Sequence, residues 1–224
     1  MFGIKSVIRI DLHTHSEASP DGGITPDQYA KLLESETLDV IAITDHDRVD
    51  FALGMQKALG HEYIIVGEEI TTSDGEIIGL YLSSKVEPGM SAEDTADAIH
   101  AQNGLVYIPH PFEKIRKGLQ AETLQNIMHK VDIIETINGR AFTKKHNAKS
   151  YTWATKHQKV SSASSDAHGV KGVGRTYTMI PNRPTRNTLL AELQNATLAH
   201  SRPPLRSYFY PKINRLRQKI TGTN

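Results

Sequence analysis

Short apolar runs alternate with amphipathic stretches along this chain, and the alternation reads as strand then helix, repeated. Residues 7–12 read as the first strand. Thr25 with Gln28 three positions on, and Pro26 at the first helical position, makes a capping-box signature that opens a helix to about residue 36. A second strand is expected at 40–44, then a helix at 48–59 ended by Gly60. Strands follow at 63–66 and 77–82, with Gly75 turning the chain between them. Ser91 begins another helix, which Gly104 closes. Further strands fall at 105–108, 131–137, 160–163 and 177–180, and helices at 121–129, 143–157 and 186–194. Apolar runs of this length between amphipathic helices indicate parallel strands covered by helices, as an open sheet or a small irregular barrel. Residues 1–196 are read as one domain and 197–224 as a separate basic tail.

Composition changes this picture at few points. With 224 residues, 38% hydrophobic and 23% charged, the chain has the make-up of a folded globular domain. No apolar run nears the ~20 residues of a membrane span. The first fifteen residues lack the apolar region and cleavage site of a signal peptide. The expectation is therefore a cytoplasmic protein with no membrane contact. The absence of Cys excludes disulfides and thiolate metal sites. Eleven His is the abnormal count. Charge is uneven: six of the 26 basic residues lie beyond Ala196 with no acidic one among them, so the body is mildly acidic.

The polar outliers fall at strand ends. Asp11, His13 and His15 close the first strand, and Asp45, His46 and Asp47 follow the second. Glu68 and Glu69 follow the third, His110 follows the run at 105–108, Glu135 lies late in the next strand, and Asp166 and His168 follow 160–163. In parallel α/β folds those ends share one face, where active sites are built. His-x-His on an extended segment points both imidazoles to one side. Imidazoles and carboxylates in this number suit borderline divalent ions such as Zn²⁺, Mn²⁺ or Fe²⁺, and exceed the needs of one ion. Such ions acidify a bound water into a nucleophile near neutral pH. His61, His100, His129, His146, His157 and His200 fall on helices or their ends and read as surface residues.

The ordered set DLHTHS (11–16), SPDG (19–22), ITDHD (43–47), GEEIT (67–71), IPHPF (108–112), IETINGR (134–140) and SSDAH (164–168) resembles the polymerase and histidinol phosphatase (PHP) family. The resemblance implies a distorted seven-stranded (β/α) barrel whose two or three divalent ions hydrolyse phosphate esters through a metal-bridging hydroxide. It also implies ligands: His13, His15, Glu69 and Asp166 for a first ion, Glu69 and His110 for a second, and Asp21, His46 and His168 for a third. Glu69 is preferred to Glu68 because the family pattern sets its Glu directly before the Ile-Thr pair. Glu76 stands where many relatives carry a His, and is the candidate for the remaining second-ion ligand.

Supporting roles follow from chemistry. Asp11 or Asp45 is suited to accept the free N–H of a ligand His. Arg140 and Arg175 are suited to grip phosphate oxygens, with Lys114 and Arg116 as second choices. Glu69, His168, Arg140 and Arg175 thus make the expected catalytic set, with His168 or a metal-bound water as leaving-group acid. Expected substrates are a phosphorylated small molecule or nucleotide, or an RNA or DNA end, the basic tail giving slight support to nucleic acid. The rivals are a non-catalytic metal-binding scaffold, a histidinol-phosphatase-like enzyme, and an amidohydrolase. The last predicts a Lys among the strand-end ligands, and none occurs there.

Overall fold

The computed structural model describes residues 7–141 and 143–221. Among these residues nine strands join one sheet. They are β1 (Ile8–Thr14), β2 (Val40–Ile43), β3 (Ile64–Thr71), β4 (Glu76–Leu80), β5 (Leu105–Ile108), β6 (Ile133–Asn138), β7 (Val160–Ser164), β8 (Thr176–Ile180) and β9 (Thr197–His200). Seven α-helices accompany them: α1 (Pro26–Glu34), α2 (Asp50–Leu59), α3 (Ala92–Ala101), α4 (Ala121–Asn126), α5 (Lys144–Lys156), α6 (Leu189–Gln194) and α7 (Tyr210–Thr221). The spatial order is β7-β6-β5-β4-β3-β2-β1-β8-β9. The sheet nearly closes where the end of β1 meets the segment after β7: His15 N–H donates to the Ala167 carbonyl at 3.0 Å and Asp166 N–H to that of His13 at 2.9 Å.

The seven-stranded expectation is corrected here to nine strands of mixed direction. Pairs β1–β2, β2–β3, β5–β6 and β6–β7 are parallel, whereas β3–β4, β4–β5, β1–β8 and β8–β9 are antiparallel. The reason is connection length. Only four residues, turned by Gly75 at φ 144°, separate β3 from β4, too few for a crossover helix, so the pair must form a hairpin. The ninth strand and α7 both lie in the segment read as a tail, whose residues 222–224 fall outside the described residues, as do 1–6 of the body.

Local signals at helix starts act as their chemistry dictates. Thr25 Oγ accepts from Gln28 N–H while the Gln28 side chain accepts from Thr25 N–H, so two orphan donors of α1 are satisfied reciprocally. Ser91 caps α3 with one such bond, its Oγ accepting from Asp94 N–H.

Alternation along the strands then sorts the core into two layers. Val40, Ala42, Ile65, Ile78, Leu80, Tyr107 and Ile133 face inward and cluster with Leu189 and Leu193 of α6. Ile41, Ile43, Ile64, Val66, Ile77 and Ile134 face outward under Tyr29, Met55, Ile99 and Leu124 of the helices. The inward rows continue upward into polar residues. Ile65 shares its parity with Glu69, Ile78 with Glu76, Ile133 with Glu135, and Ala42 with His46. One rim of the barrel therefore collects the charged side chains, while the interior below it is mostly apolar, with Tyr107, Ser162 and Ser164 hydrogen-bonded among themselves.

Candidate metal centre

Each element delivers its side chain by position. A register shift in β1 between Asp11 and Thr14 brings His13 onto the inner face above Leu12. Strand β4 runs antiparallel to both neighbours and begins beside the end of β3, Glu76 pairing with Thr71, which sets Glu76, its first residue, on the same rim. Asp166 and His110 sit just beyond their strands with φ of 51° and 28°, conformations that turn the chain sharply and aim both side chains back into the barrel mouth.

The atoms converge closely. His13 Nε2 lies 3.1 Å from His15 Nε2, and both lie 3.2 Å from Glu69 Oε2. Asp166 Oδ1 stands 3.6 Å from His15 Nε2 and 3.8 Å from His13 Nε2. The other Glu69 oxygen, Oε1, faces His110 Nε2 at 3.0 Å, and Glu76 Oε2 approaches that nitrogen to 3.8 Å. Beside these, Asp21 Oδ1 lies 3.3 Å from His168 Nε2 and 3.7 Å from His46 Nε2. Three groups have donor atoms all within 4.8 Å of one another: His13–Glu69–His110, His13–His15–Asp166, and His15–Asp21–His46–His168.

The donor chemistry fits divalent cations. Glu135 Oε1 accepts the Nδ1 proton of neutral His13 at 3.1 Å, which leaves an Nε2 lone pair aimed at a second imidazole nitrogen and at carboxylate oxygens. Either a proton on Nε2 or a bound cation makes that approach favourable, and a divalent cation would draw on all of these donors at once. Electrostatics agree. Burial opposes charging His13, yet Glu69, Asp166 and Glu135 hold its pKa well above the usual value. Burial, followed by repulsion from Glu69, pushes Glu76 up to about 8. Both shifts report an excess of negative charge that a cation relieves. His168 goes the other way: burial, His15 and Arg140 lower it to about 3, so its imidazole is neutral and available as a ligand. The site opens into a cavity of about 430 Å³.

Alternation separates neighbouring candidates. Glu68, one residue from Glu69, points to the outer layer and accepts from Val86 N–H at 2.8 Å. Arg140 and Arg116 both reach the cavity and both pair with Asp166, Arg140 at 3.1 Å from Oδ1 and Arg116 on Oδ2. Lys114 is exposed outside the lining. The structure does not bring Arg175 to the cavity. Thr176, Thr178 and Ile180 form the buried row of β8, and Arg175 falls on the opposite parity, exposed, its carbonyl accepting from Ser201 N–H.

The orienting acids are also differently placed from expectation. Asp11 accepts from Ser165 N–H at 3.0 Å and Asp45 from Ser16 N–H at 2.6 Å, so both fix backbone rather than an imidazole. Glu135 takes that role. It accepts from His13, from Tyr107 Oη at 3.0 Å and from His110 N–H at 2.6 Å. The available signal was its inward parity with Ile133 at the rim end of a strand. Asn214 and Arg215, which reach the site from α7, gave no such signal.

Comparison with known proteins follows this geometry. A family model described as PHP-associated matches residues 144–198. The uncharacterized protein MJ1587 of Methanocaldococcus jannaschii is 34% identical over 125 residues, covering 50% of this chain and 72% of that protein. A two-domain protein of Bacteroides vulgatus, described as containing a predicted PHP-like metal-dependent phosphoesterase, superposes with a TM-score of 0.68 at 18% identity, over 93% of this chain and 70% of its own. The lesion-specific endonuclease Q of Pyrococcus furiosus superposes with a TM-score of 0.53 at 15% identity, over 86% of this chain and 57% of its own. A barrel of this topology, with these clusters on one rim and these matches, defines a PHP-type protein. The chain belongs to the PHP family.

Proposed function

We propose that this protein hydrolyses phosphate esters using two or three divalent cations held at the barrel rim. The observation that carries the reading is the split placement of Glu69, one oxygen beside His13 and His15 and the other beside His110. One carboxylate so placed suits a bridge between two ions. In this reading His13, His15, Glu69 and Asp166 hold the first ion, Glu69, His110 and Glu76 the second, and Asp21, His46 and His168 the third. Ions bound there supply an acidified water and positive charge against phosphate oxygens.

The protein's own groups do the remainder. Arg116 and Arg140 stand at the cavity wall around Asp166, where their guanidiniums can turn to two oxygens of an incoming phosphate and stabilise the charge that grows on them. Glu135 holds His13 in one tautomer. Burial, His15 and Arg140 lower the pKa of His168, which favours a ligand role over that of leaving-group acid. Asp166 stays ionised because Arg140, His13 and Arg116 outweigh its burial.

A cavity of about 430 Å³ fits a mononucleotide or the terminal residue of a nucleic-acid chain. The fold shared with endonuclease Q, crystallised with a 27-mer duplex carrying an abasic lesion, supports a phosphoester of nucleic-acid type. No helix among the described residues is long and apolar enough to cross a membrane.

The test measures phosphate release by Mn²⁺-loaded protein from a nucleoside monophosphate, a nucleoside 3′,5′-bisphosphate and a short 5′-phosphorylated RNA. Activity on one of them that falls at least about 10³-fold in Glu69→Gln is the expected result. A fully metallated protein silent on all three moves the assignment to a non-catalytic metal-binding scaffold.

A further inference from the structure

Helix α7 lies on the rim beside Asp21, His46 and His168, with Asn214, Arg215 and Gln218 turned toward it. Asn214 Nδ2 donates to the carbonyls of Asp21 and His168, both at 2.9 Å. Those carbonyls belong to two residues from distant loops whose side chains meet in one metal-binding group. Arg215 Nη2 stands 2.7 Å from Asp21 Oδ2, and the other oxygen, Oδ1, faces the imidazoles. The guanidinium therefore takes one carboxylate oxygen and leaves the second aimed into the group. Gln218 Nε2 donates to the Ser19 carbonyl at 2.8 Å and that of Glu17 at 3.3 Å, at the start of the same loop.

The seat is close-fitting. A Cβ added at Gly23 would lie 2.9 Å from the Asn214 amide, and one at Gly169 would lie 2.8 Å from the Tyr210 ring. Ile213, Leu216 and Ile220 meanwhile face outward and are exposed. A surface helix normally docks through its apolar stripe. This one turns Asn214, Arg215 and Gln218 to the rim beside Tyr210 and buried Pro211, and the hydrogen bonds of Asn214 and Arg215 go to Asp21 and His168.

We propose that α7 is a positioning element for the third ion, with Asn214 and Arg215 setting the separation and aim of Asp21 and His168. The inference rests on the metal-dependent reading above. Partners behind metal ligands commonly govern affinity by 10–100-fold, and here they come from a helix outside the barrel. The two other groups draw on β1, β3, β5 and the loop after β7, and none of their side chains touches Asn214 or Arg215.

The experiment loads wild type, Asn214→Asp, Arg215→Gln and a surface control, Ile213→Ser, with Mn²⁺. Retained ions are counted by mass spectrometry after gel filtration, and chelator competition gives the affinity of each class. Asn214→Asp keeps the shape of the side chain but sets a carboxylate against two carbonyls. In Asn214→Asp and Arg215→Gln one class of ion should be lost or weakened roughly 10–100-fold. The other classes should stay within about twofold, and Ile213→Ser should match wild type. Unchanged counts and affinities in both variants overturn the proposal, as does equal weakening of every class. If Asn214→Asp does not fold, the double variant Arg215→Gln with Gln218→Ala makes the same comparison. Wild-type protein that retains no ion overturns the metal-dependent reading itself, a result distinct from a change confined to the variants.

Discussion

Glu135 shows how a single side chain sets the chemistry of another. Its carboxylate accepts from His13 Nδ1, Tyr107 Oη, His110 N–H and Asn138 Nδ2, so it orients two candidate ligands at once. Glu135→Gln keeps the volume but removes the charge and offers a donor where only acceptors serve. Divalent-ion affinity should fall roughly 10–100-fold, read by calorimetric titration, and an unchanged affinity would show that His13 needs no orienting partner. Glu68, on the opposite face of β3, supports a prediction about pH. Burial raises its pKa from 4.5 to about 7, against the hydrogen bond from Val86 N–H that lowers it. A carboxyl whose folded pKa exceeds its unfolded one costs stability as pH rises through that window, between about 4.5 and 7. Glu68→Gln, in metal-free protein, should therefore raise Tm by a few degrees at pH 8 and leave it unchanged at pH 4. A lower Tm at pH 8 would mean that the ionised carboxylate on Val86 N–H is favourable overall. The pair Glu68–Glu69 also marks where sequence reading stops. Alternation says that only one of two adjacent residues can face the site, and a family pattern, rather than periodicity, singled out Glu69.

Element by element, legibility tracked local chemistry. The capping box of α1, the Ser91 cap of α3 and the buried strand at 105–108 follow from residues a few positions apart, and all were readable. Strand β3 runs to Thr71, five residues past its expected end, because its polar half pairs with β4 and that pairing lies outside the run itself. Helix α7 was missed because Ile213, Leu216 and Ile220 face solvent while Asn214 and Gln218 make contacts to the barrel loops, unlike the apolar stripe that identifies a docked helix. The loop from His110 to Gly118 tests how tightly an element fixes the site. Gly118 N–H donates to the Glu113 carbonyl, and a Cβ at Gly118 would lie 2.2 Å from the His110 carbonyl oxygen. Gly118→Ala must therefore push His110 and Arg116 apart from their present partners. We expect a loss of about 2 kcal/mol or more in stability together with weakened ion binding. Wild-type values of both would show that the loop relaxes without moving His110.

At the scale of the whole molecule the barrel is closed at its charged end. The segment carrying Asp166 hydrogen-bonds back to β1 at His13 and His15, so one of the candidate ion-binding groups sits on the seam of the sheet. Ions that bind this seam and not the unfolded chain must stabilise the fold, by about 2.7 kcal/mol at a hundredfold excess over Kd. In a chain of this size that is roughly 5–10 °C in Tm, so chelation should lower Tm by about that amount at pH 8. The gain should itself depend on pH, and its sign follows from His13. Glu69, Asp166 and Glu135 raise its pKa above the ordinary value despite burial, so protons compete with the ions for its Nε2 lone pair from a higher pH than an isolated His would allow. Lowering the pH fills the site with protons in place of metal, and the ion-dependent rise in Tm should shrink between pH 8 and pH 5.5. Differential scanning fluorimetry with and without Mn²⁺ at both values measures this directly. An equal rise at the two values would mean that the stabilising ions bind away from His13, on oxygen ligands alone, and the seam would then be held shut by its hydrogen bonds and by Arg116 and Arg140 on Asp166 rather than by metal.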